Sequence, residues 1–261
     1  MTRTHLTFAC AGATLVGTLD AAPGTAGLLI VSGGNEIRGG AWNGQALLAA
    51  RLAARGFPVF RFDRRGIGDS EGKNAGFRGS ADDIRAALAA FRAAAPHLGR
   101  VVAWGNCDAA SALMLGGGLG CDALVLSNPW TLEDSEAGRD EAAPPPRALR
   151  AHYARRLRDP VALLRLLGGK VSPGALLRSL RDMVRKTEPT TLTGEMAAGL
   201  SSFSGPVRIL LAGRDRTAQA FLGQWDKADS RLETCLSASH SFVEEEAQTW
   251  LENNILNSLS S

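Results

Sequence analysis

Several features are scarce in this 261-residue sequence, and each scarcity excludes a class of protein. No apolar run reaches the roughly 18 residues that a membrane helix needs, so we expect no membrane span. The four cysteines, Cys10, Cys107, Cys121 and Cys235, are far apart and lack the C-x-x-C spacing of metal sites, so we expect no metal and no cofactor. Such spacing is typical of a reduced, cytoplasmic protein.

The sequence also lacks a large excess of charge of either sign. The net charge is only +3 at pH 7, which gives no reason to expect a nucleic-acid partner. The N-terminus, MTRTHLTFACAGATL, has charged and polar residues where a secretory signal would be apolar. The composition is 45% hydrophobic and 21% charged, which is ordinary for a globular protein of one large domain, with or without an insertion.

Short apolar runs alternate with helical periodicity along most of the chain. An N-terminal hairpin is predicted around Gly12, within residues 4–20. Strands are then predicted at 26–34, 57–63, 101–104, 123–130 and 207–213, and helices at 42–55, 80–95, 108–116 and 243–256. This alternation predicts an α/β fold with a mostly parallel sheet and helices on both faces.

One interval, 131–204, contains no convincing strand and is too long for a loop. We interpret it as a helical cap inserted between two parts of the core, 1–130 and 205–261. Residues 147–186 carry eleven Lys and Arg against two Asp, a net charge of +9. This stretch is either a solvated helical face or a basic rim that attracts an anionic substrate or an acidic carrier protein. For direct substrate contact we name three arginines, the arginine triplet Arg155, Arg156 and Arg158.

The segment GNCDAAS (105–111) lies between a predicted strand and a predicted helix, and resembles G-x-S-x-G with cysteine for serine. A nucleophile on such a turn needs small neighbours two residues away, and Gly105 and Ala109 meet that need. The helix start also lowers a thiol pKa. Cys107 is therefore a candidate nucleophile, although cysteine is often simply a small buried residue.

Partners for Cys107 follow in the chain order nucleophile, acid, histidine. Asp215 comes directly after the strand 207–213, and His240 precedes the last predicted helix. Stabilisation of an oxyanion is expected from backbone N–H groups of Gly34, Asn35 and Asp108.

Other residues could take these roles. His5, His97 and His152 are the remaining histidines, and of these only His152, in the cap, could reach a pocket. Glu133 and Asp134 are alternatives for the acid.

The segment FDRRGIGDSEG (62–72) follows another predicted strand. We interpret Asp63 and Ser70 as braces of a structural turn, since the G-x-G lacks the third glycine and helix start of a dinucleotide site.

Together, SGGNEIRGG, FDRRGIGDSEG, GNCDAAS, SNPW, AGRDRTA and SHSF resemble the α/β-hydrolase superfamily along the whole chain. The chain is most similar to the first of the two hydrolase families associated with exosortase A systems, including the cap segment HYARRLRDPVALLRLLGGKVSP (152–173). The resemblance implies a Cys-His-Asp triad of Cys107, His240 and Asp215. It also implies a bacterial protein linked to exopolysaccharide or protein-sorting loci.

A cysteine nucleophile narrows the class of substrate that we expect. A thiolate that attacks a thioester exchanges one thioester for another, whereas an oxygen ester must release a far more basic alkoxide. We therefore expect hydrolysis of coenzyme A or carrier-protein thioesters through an acyl-cysteine. The alternatives are acyl transfer to an amine or hydroxyl, a dienelactone-hydrolase-like esterase, and a non-catalytic binding protein with a hydrolase fold.

Overall fold

A computed structural model describes residues 2–132 and 191–261. In these ranges eight strands form one sheet in the order β1-β2-β4-β3-β5-β6-β7-β8. The strands are β1 (Thr2–Cys10), β2 (Ala13–Ala21), β3 (Ala26–Val31), β4 (Val59–Phe62), β5 (Arg100–Asn106), β6 (Ala123–Ser127), β7 (Val207–Ala212) and β8 (Leu232–Cys235). Strands β1 and β2 are antiparallel to their neighbours, and the other pairs are parallel.

The helices lie on both faces of this sheet. They are α1 (Gly44–Ala54), α2 (Ala81–Ala94), α3 (Asp108–Leu115), α4 (Thr191–Ser201), α5 (Arg216–Gln224) and α6 (Glu245–Ser260). Side chains of α1 and α6 pack on one face, and those of α2 to α5 pack on the other. The predicted α/β architecture is therefore confirmed. No helix within the two described ranges is long and apolar enough to cross a membrane.

The N-terminal hairpin forms where it was predicted. Ala11 and Gly12 connect its strands, and both have positive φ, 47° and 81°. Two such residues match the twist of the flanking strands in a two-residue hairpin. By contrast, the central strand β3 is a continuous apolar run with nearly every side chain buried, as expected for a strand covered on both faces.

The predicted cap interval is only partly described, because residues 133–190 lie outside the described ranges. Its last part, α4, belongs to the core, since Leu192, Met196 and Leu200 are buried with side chains of α2 and α3. Helices α3 and α4 approach closely at Gly199, where a Cβ would lie 2.3 Å from the carbonyl oxygen of Met114. The core therefore resumes before residue 205, the boundary predicted from the sequence.

Candidate active site

Cys107 lies between the end of β5 and the first residue of α3. Its φ of 62° and ψ of −127° are unusual for a non-glycine residue, and such strain concentrates at functional sites. The surrounding backbone holds it there: Cys107 N–H donates to the carbonyl of Ser127 at 2.9 Å, and its own carbonyl accepts from Trp130 N–H at 3.3 Å. The strand approaches the helix closely because Gly105 has no side chain.

The other three cysteines differ from Cys107 in being buried. Burial, followed by a hydrogen bond to Asp83, raises the pKa of the Cys10 thiol to about 11. Burial, followed by the charge of Asp122, raises the pKa of Cys121 to about 12. A thiol reacts as its thiolate, so neither group is a competing nucleophile near neutral pH.

His240 and Asp215 meet at the same edge of the sheet. His240 Nδ1 lies 2.9 Å from Asp215 Oδ2. Asp215 is buried at the N-cap of α5, where its two oxygens accept N–H bonds from Thr217 at 3.2 Å and Ala218 at 3.1 Å. These helix bonds hold the carboxylate in place while it also faces the imidazole.

His240 also interacts with the Cys107 side chain, and this interaction helps to raise the pKa of the imidazole. The pKa of His240 is raised to about 10. The bond to Asp215 is the largest cause, and the interaction with Cys107 is the second. Both contacts favour the protonated form of the imidazole. A protonated histidine beside a thiol can stabilise a thiolate and then donate its proton to a leaving group.

The competing histidines are engaged elsewhere. His5 bonds to Thr18 Oγ1 at 2.9 Å within the N-terminal hairpin, and His97 bonds to the carbonyl of Ala22 at 3.0 Å. His152, the alternative acids Glu133 and Asp134, and the arginine triplet lie outside the described residues.

The predicted oxyanion loop lies beside Cys107, but its geometry differs from the expectation. Gly34 N–H donates to the side-chain oxygen Oδ1 of Asp108 at 2.6 Å, so it is not open to a substrate oxygen. The carboxylate takes this donor because a charge-assisted bond is strong. An oxyanion can use Gly34 only after the Asp108 side chain has moved.

Of the other two predicted donors, one begins α3 and one lies on the exposed loop. Asp108 N–H occupies the first helical position of α3, where an N–H has no acceptor within the helix. Asn35 is exposed on the same loop, and its side chain accepts a bond from Asn74 at 3.1 Å.

Arg64 is a member of this site that the sequence reasoning missed. Its side chain is 3% exposed, donates to the carbonyl of Gly34, and lies 3.6 Å from Asp108 Oδ2. Its Nε and Nη1 atoms are buried without hydrogen-bond partners. The only sequence signal was its place in FDRRGIGDSEG.

In that turn Asp63 and Ser70 act as predicted. Asp63 accepts backbone bonds from Arg38 at 2.6 Å and Asp69 at 3.1 Å, and Ser70 Oγ donates to the Asp63 carbonyl at 2.7 Å.

A cavity of about 380 Å³ adjoins the site on the side of α1 and α6. Its walls include Trp42, Leu48, Trp104, Asn106, Phe242 and Leu251. Glu36 also lines it, and burial is the main cause that raises the pKa of this carboxyl group. The lining mixes apolar side chains with polar ones, among them Gln45, Arg51 and Gln248, and it does not include Cys107, His240 or Asp215. Among the described residues no group of three His, Cys, Asp or Glu could hold a metal ion.

Comparisons with solved structures agree with this architecture. An α/β hydrolase from Penicillium sp. sh18 has a TM-score of 0.64 at 17% identity, and the match covers 100% of this chain and 98% of that one. An esterase from Pyrococcus furiosus has a TM-score of 0.60 at 14% identity, over 99% and 90%. A Xanthomonas campestris protein described as a serine hydrolase without a lid has a TM-score of 0.60 at 15% identity, over 100% and 97%.

These similarities show the fold alone. No curated protein matches the chain in sequence. The model of the alpha/beta hydrolase family, however, matches residues 28–252, which is most of the chain. With the sheet order and the strained strand-to-helix turn described above, this match shows that the chain belongs to the alpha/beta hydrolase family.

Proposed function

We propose that the protein is a thioesterase that forms a covalent acyl intermediate on Cys107, with His240 as proton carrier and Asp215 as its orienting acid. One observation supports the proposal: Cys107 sits on the strained turn and interacts with His240, whose Nδ1 is 2.9 Å from the buried carboxylate of Asp215. Nucleophile, base and orienting group within reach of one another are the signature of nucleophilic catalysis.

The reaction has two balanced steps. In acylation, the Cys107 thiolate attacks the thioester carbonyl, the carbon–sulfur bond to the leaving thiol breaks, and His240 gives that thiol its proton. In deacylation, the now neutral His240 takes a proton from water as the oxygen attacks the acyl-cysteine. The carboxylic acid leaves, the Cys107 thiolate is restored and His240 is again protonated.

A thioester suits this site better than an oxygen ester. The raised pKa of His240 favours a proton donor over a base in the resting enzyme. Attack by a thiolate on a thioester is also close to balance in free energy, because one thioester is exchanged for another. The turn GNCDAAS, which resembles that of the exosortase A-associated hydrolases, is a second support for a cysteine nucleophile.

We propose anionic thioesters, of coenzyme A or an acidic carrier protein, as the substrate class. This part of the proposal rests on the sequence, namely the net charge of +9 in residues 147–186. A surface of one sign raises the local concentration of an oppositely charged substrate.

Trapping the acyl group tests the proposal. The protein is mixed with an acyl-coenzyme A thioester, quenched in acid and digested, and the acylated peptide is identified by mass spectrometry. We expect the acyl group on Cys107 and free carboxylic acid as product. The Cys121→Ala variant is the matched control, since it removes a buried thiol and should keep the adduct.

Other results would overturn parts of the proposal. An adduct on Cys10, Cys121 or Cys235 would refute Cys107 as nucleophile. An amide or ester product would mean transfer to an amine or hydroxyl, and faster turnover of oxygen esters would mean an esterase. No adduct and no turnover with any acyl donor would favour a binding protein.

A further inference from the structure

Asn128 is a fully buried polar residue at the carboxyl end of β6. Its φ of 45° is left-handed, a conformation that asparagine tolerates better than most residues. A buried amide in an unusual conformation needs a reason, because leaving its donors or acceptor unpaired costs free energy. Its hydrogen bonds supply that reason.

The side-chain amide of Asn128 joins three separate segments. Its Nδ2 donates to Asn106 Oδ1 at 2.9 Å and to the main-chain carbonyl of His240 at 3.1 Å. Its Oδ1 accepts from Ala212 N–H at 2.8 Å. Both donor hydrogens and the acceptor are thus used.

Each of these partners adjoins a group of the candidate site. Asn106 immediately precedes Cys107 in the chain, and its own Nδ2 donates to the same His240 carbonyl at 3.1 Å. Ala212 ends β7, and its carbonyl accepts from Asp215 N–H at 3.0 Å. One amide therefore connects the backbone that carries all three proposed catalytic residues.

Among the described residues, the hydrogen bonds to the main-chain carbonyl of His240 come only from side chains. His240 lies on the loop between β8 and α6, outside any helix or strand. A loop residue has conformational freedom that must be restricted before its ring can stay between two partners. The two asparagine amides provide that restriction from the sheet side, while Asp215 bonds to the ring.

We propose that Asn128 is a positioning residue that acts with Asn106 to hold the His240 backbone, so that the imidazole stays in reach of Cys107 and Asp215. The inference rests on the proposed function, since it assigns a role relative to His240. Asn128 touches no reacting atom; it acts through His240.

The test compares Asn128→Gly, which removes the amide and relieves the left-handed strain, with Asn254→Ala. Asn254 is also buried and its amide donates to the Trp250 carbonyl at 3.1 Å, but it lies on α6 away from the site. Thermal unfolding, kcat and KM for a thioester, and the pH profile of Cys107 alkylation by iodoacetamide are measured for both. His240→Ala supplies the reference profile.

For Asn128→Gly we expect kcat to fall about 100-fold with KM nearly unchanged, since a misplacement of about 1 Å costs that much. The alkylation profile should shift toward that of His240→Ala. Asn254→Ala should lose stability without either change. If Asn128→Gly fails to fold, Asn106→Ala, which removes one of the two bonds to the His240 carbonyl, should show the same shift to a smaller degree.

A normal kcat, or a wild-type alkylation profile despite lower stability, would overturn the positioning role. Failure of the proposed function gives a different result: His240→Ala would then have the wild-type profile. The alkylation measurement needs no turnover, so the two failures are distinguished even when no thioester is hydrolysed.

Discussion

Replacing Asp215 separates two roles that the structure gives to one carboxylate. Asp215 caps α5 through Thr217 and Ala218, and it faces His240 Nδ1 at 2.9 Å. Asparagine is as good an N-cap as aspartate. Its amide carries no negative charge, however, so it cannot stabilise a protonated imidazole as the carboxylate does. Alanine removes both roles.

The expected magnitudes differ accordingly. Asp215→Asn should lower kcat by about 10³- to 10⁴-fold, as when an orienting aspartate is replaced in a triad. Because the cap is kept, any loss of stability in this variant should come from the lost charge pair with His240 alone. Asp215→Ala should lose similar activity and in addition about 0.5–2 kcal/mol of unfolding free energy from the lost cap. That loss corresponds to a Tm lower by about 2–4 °C for each kcal/mol in a domain of this size.

The pKa of His240 adds a pH dependence with a definite sign. Its folded value is raised from 6.5 to about 10, chiefly by Asp215. A raised pKa stabilises the fold fully below the unfolded value, and that contribution is lost as the pH rises through about 10. The stability difference between wild type and Asp215→Asn should therefore shrink as the pH rises from 6.5 toward about 10 and be absent at higher pH.

Pre-steady-state acylation and thermal unfolding, measured from pH 6 to 11, check these expectations. Asp226→Asn is the control, since Asp226 is exposed and caps only its own turn through Ala228. An Asp215→Asn variant that keeps activity within about tenfold of wild type would refute the orienting role, because a lost triad aspartate costs far more. Equal stability of the alanine and asparagine variants would refute the capping role.

Three further predictions concern the site, and a fourth concerns the basic segment of the sequence. Gly105→Ala should lower Tm and slow alkylation of Cys107, because its Cβ would lie 2.8 Å from the backbone of α3; Gly223→Ala, with open space around it, should do neither. The acylation rate should fall at high pH with a midpoint near 10, as His240 loses its proton, and a midpoint near 6.5 in the measured profile would contradict this. Asp108→Ala should free the N–H of Gly34 and raise kcat/KM for a small neutral thioester several-fold, whereas a decrease would mean that the carboxylate braces the loop. Neutralising the arginine triplet should reproduce the effect of added salt, lowering kcat/KM for coenzyme A thioesters but not for a neutral one; equal salt dependence of both substrates would mean a solvated face.

Local patterns in the sequence were enough to predict most of the strands and the candidate residues of the site. Continuous apolar runs marked the central strands, since a strand covered on both faces needs no polar side. The small residues around Cys107 and the order of Asp215 and His240 indicated which side chains the fold would bring together, and in the structure Asp215 and His240 are 2.9 Å apart. Strand β8 was missed because it has only four residues, and their burial follows no clear period: two are half-buried, one is exposed and one is buried.

Only the tertiary structure decided how the site is held. The contacts of Asp108 with Gly34 and of Asn128 with His240 join residues 74 and 112 positions apart. Such pairs leave no trace in local periodicity, because they depend on which strands become neighbours and on how far each loop turns back. Hydrogen bonds also act over about 3 Å, so their partners are decided by fine differences in backbone position that no spacing in the sequence encodes.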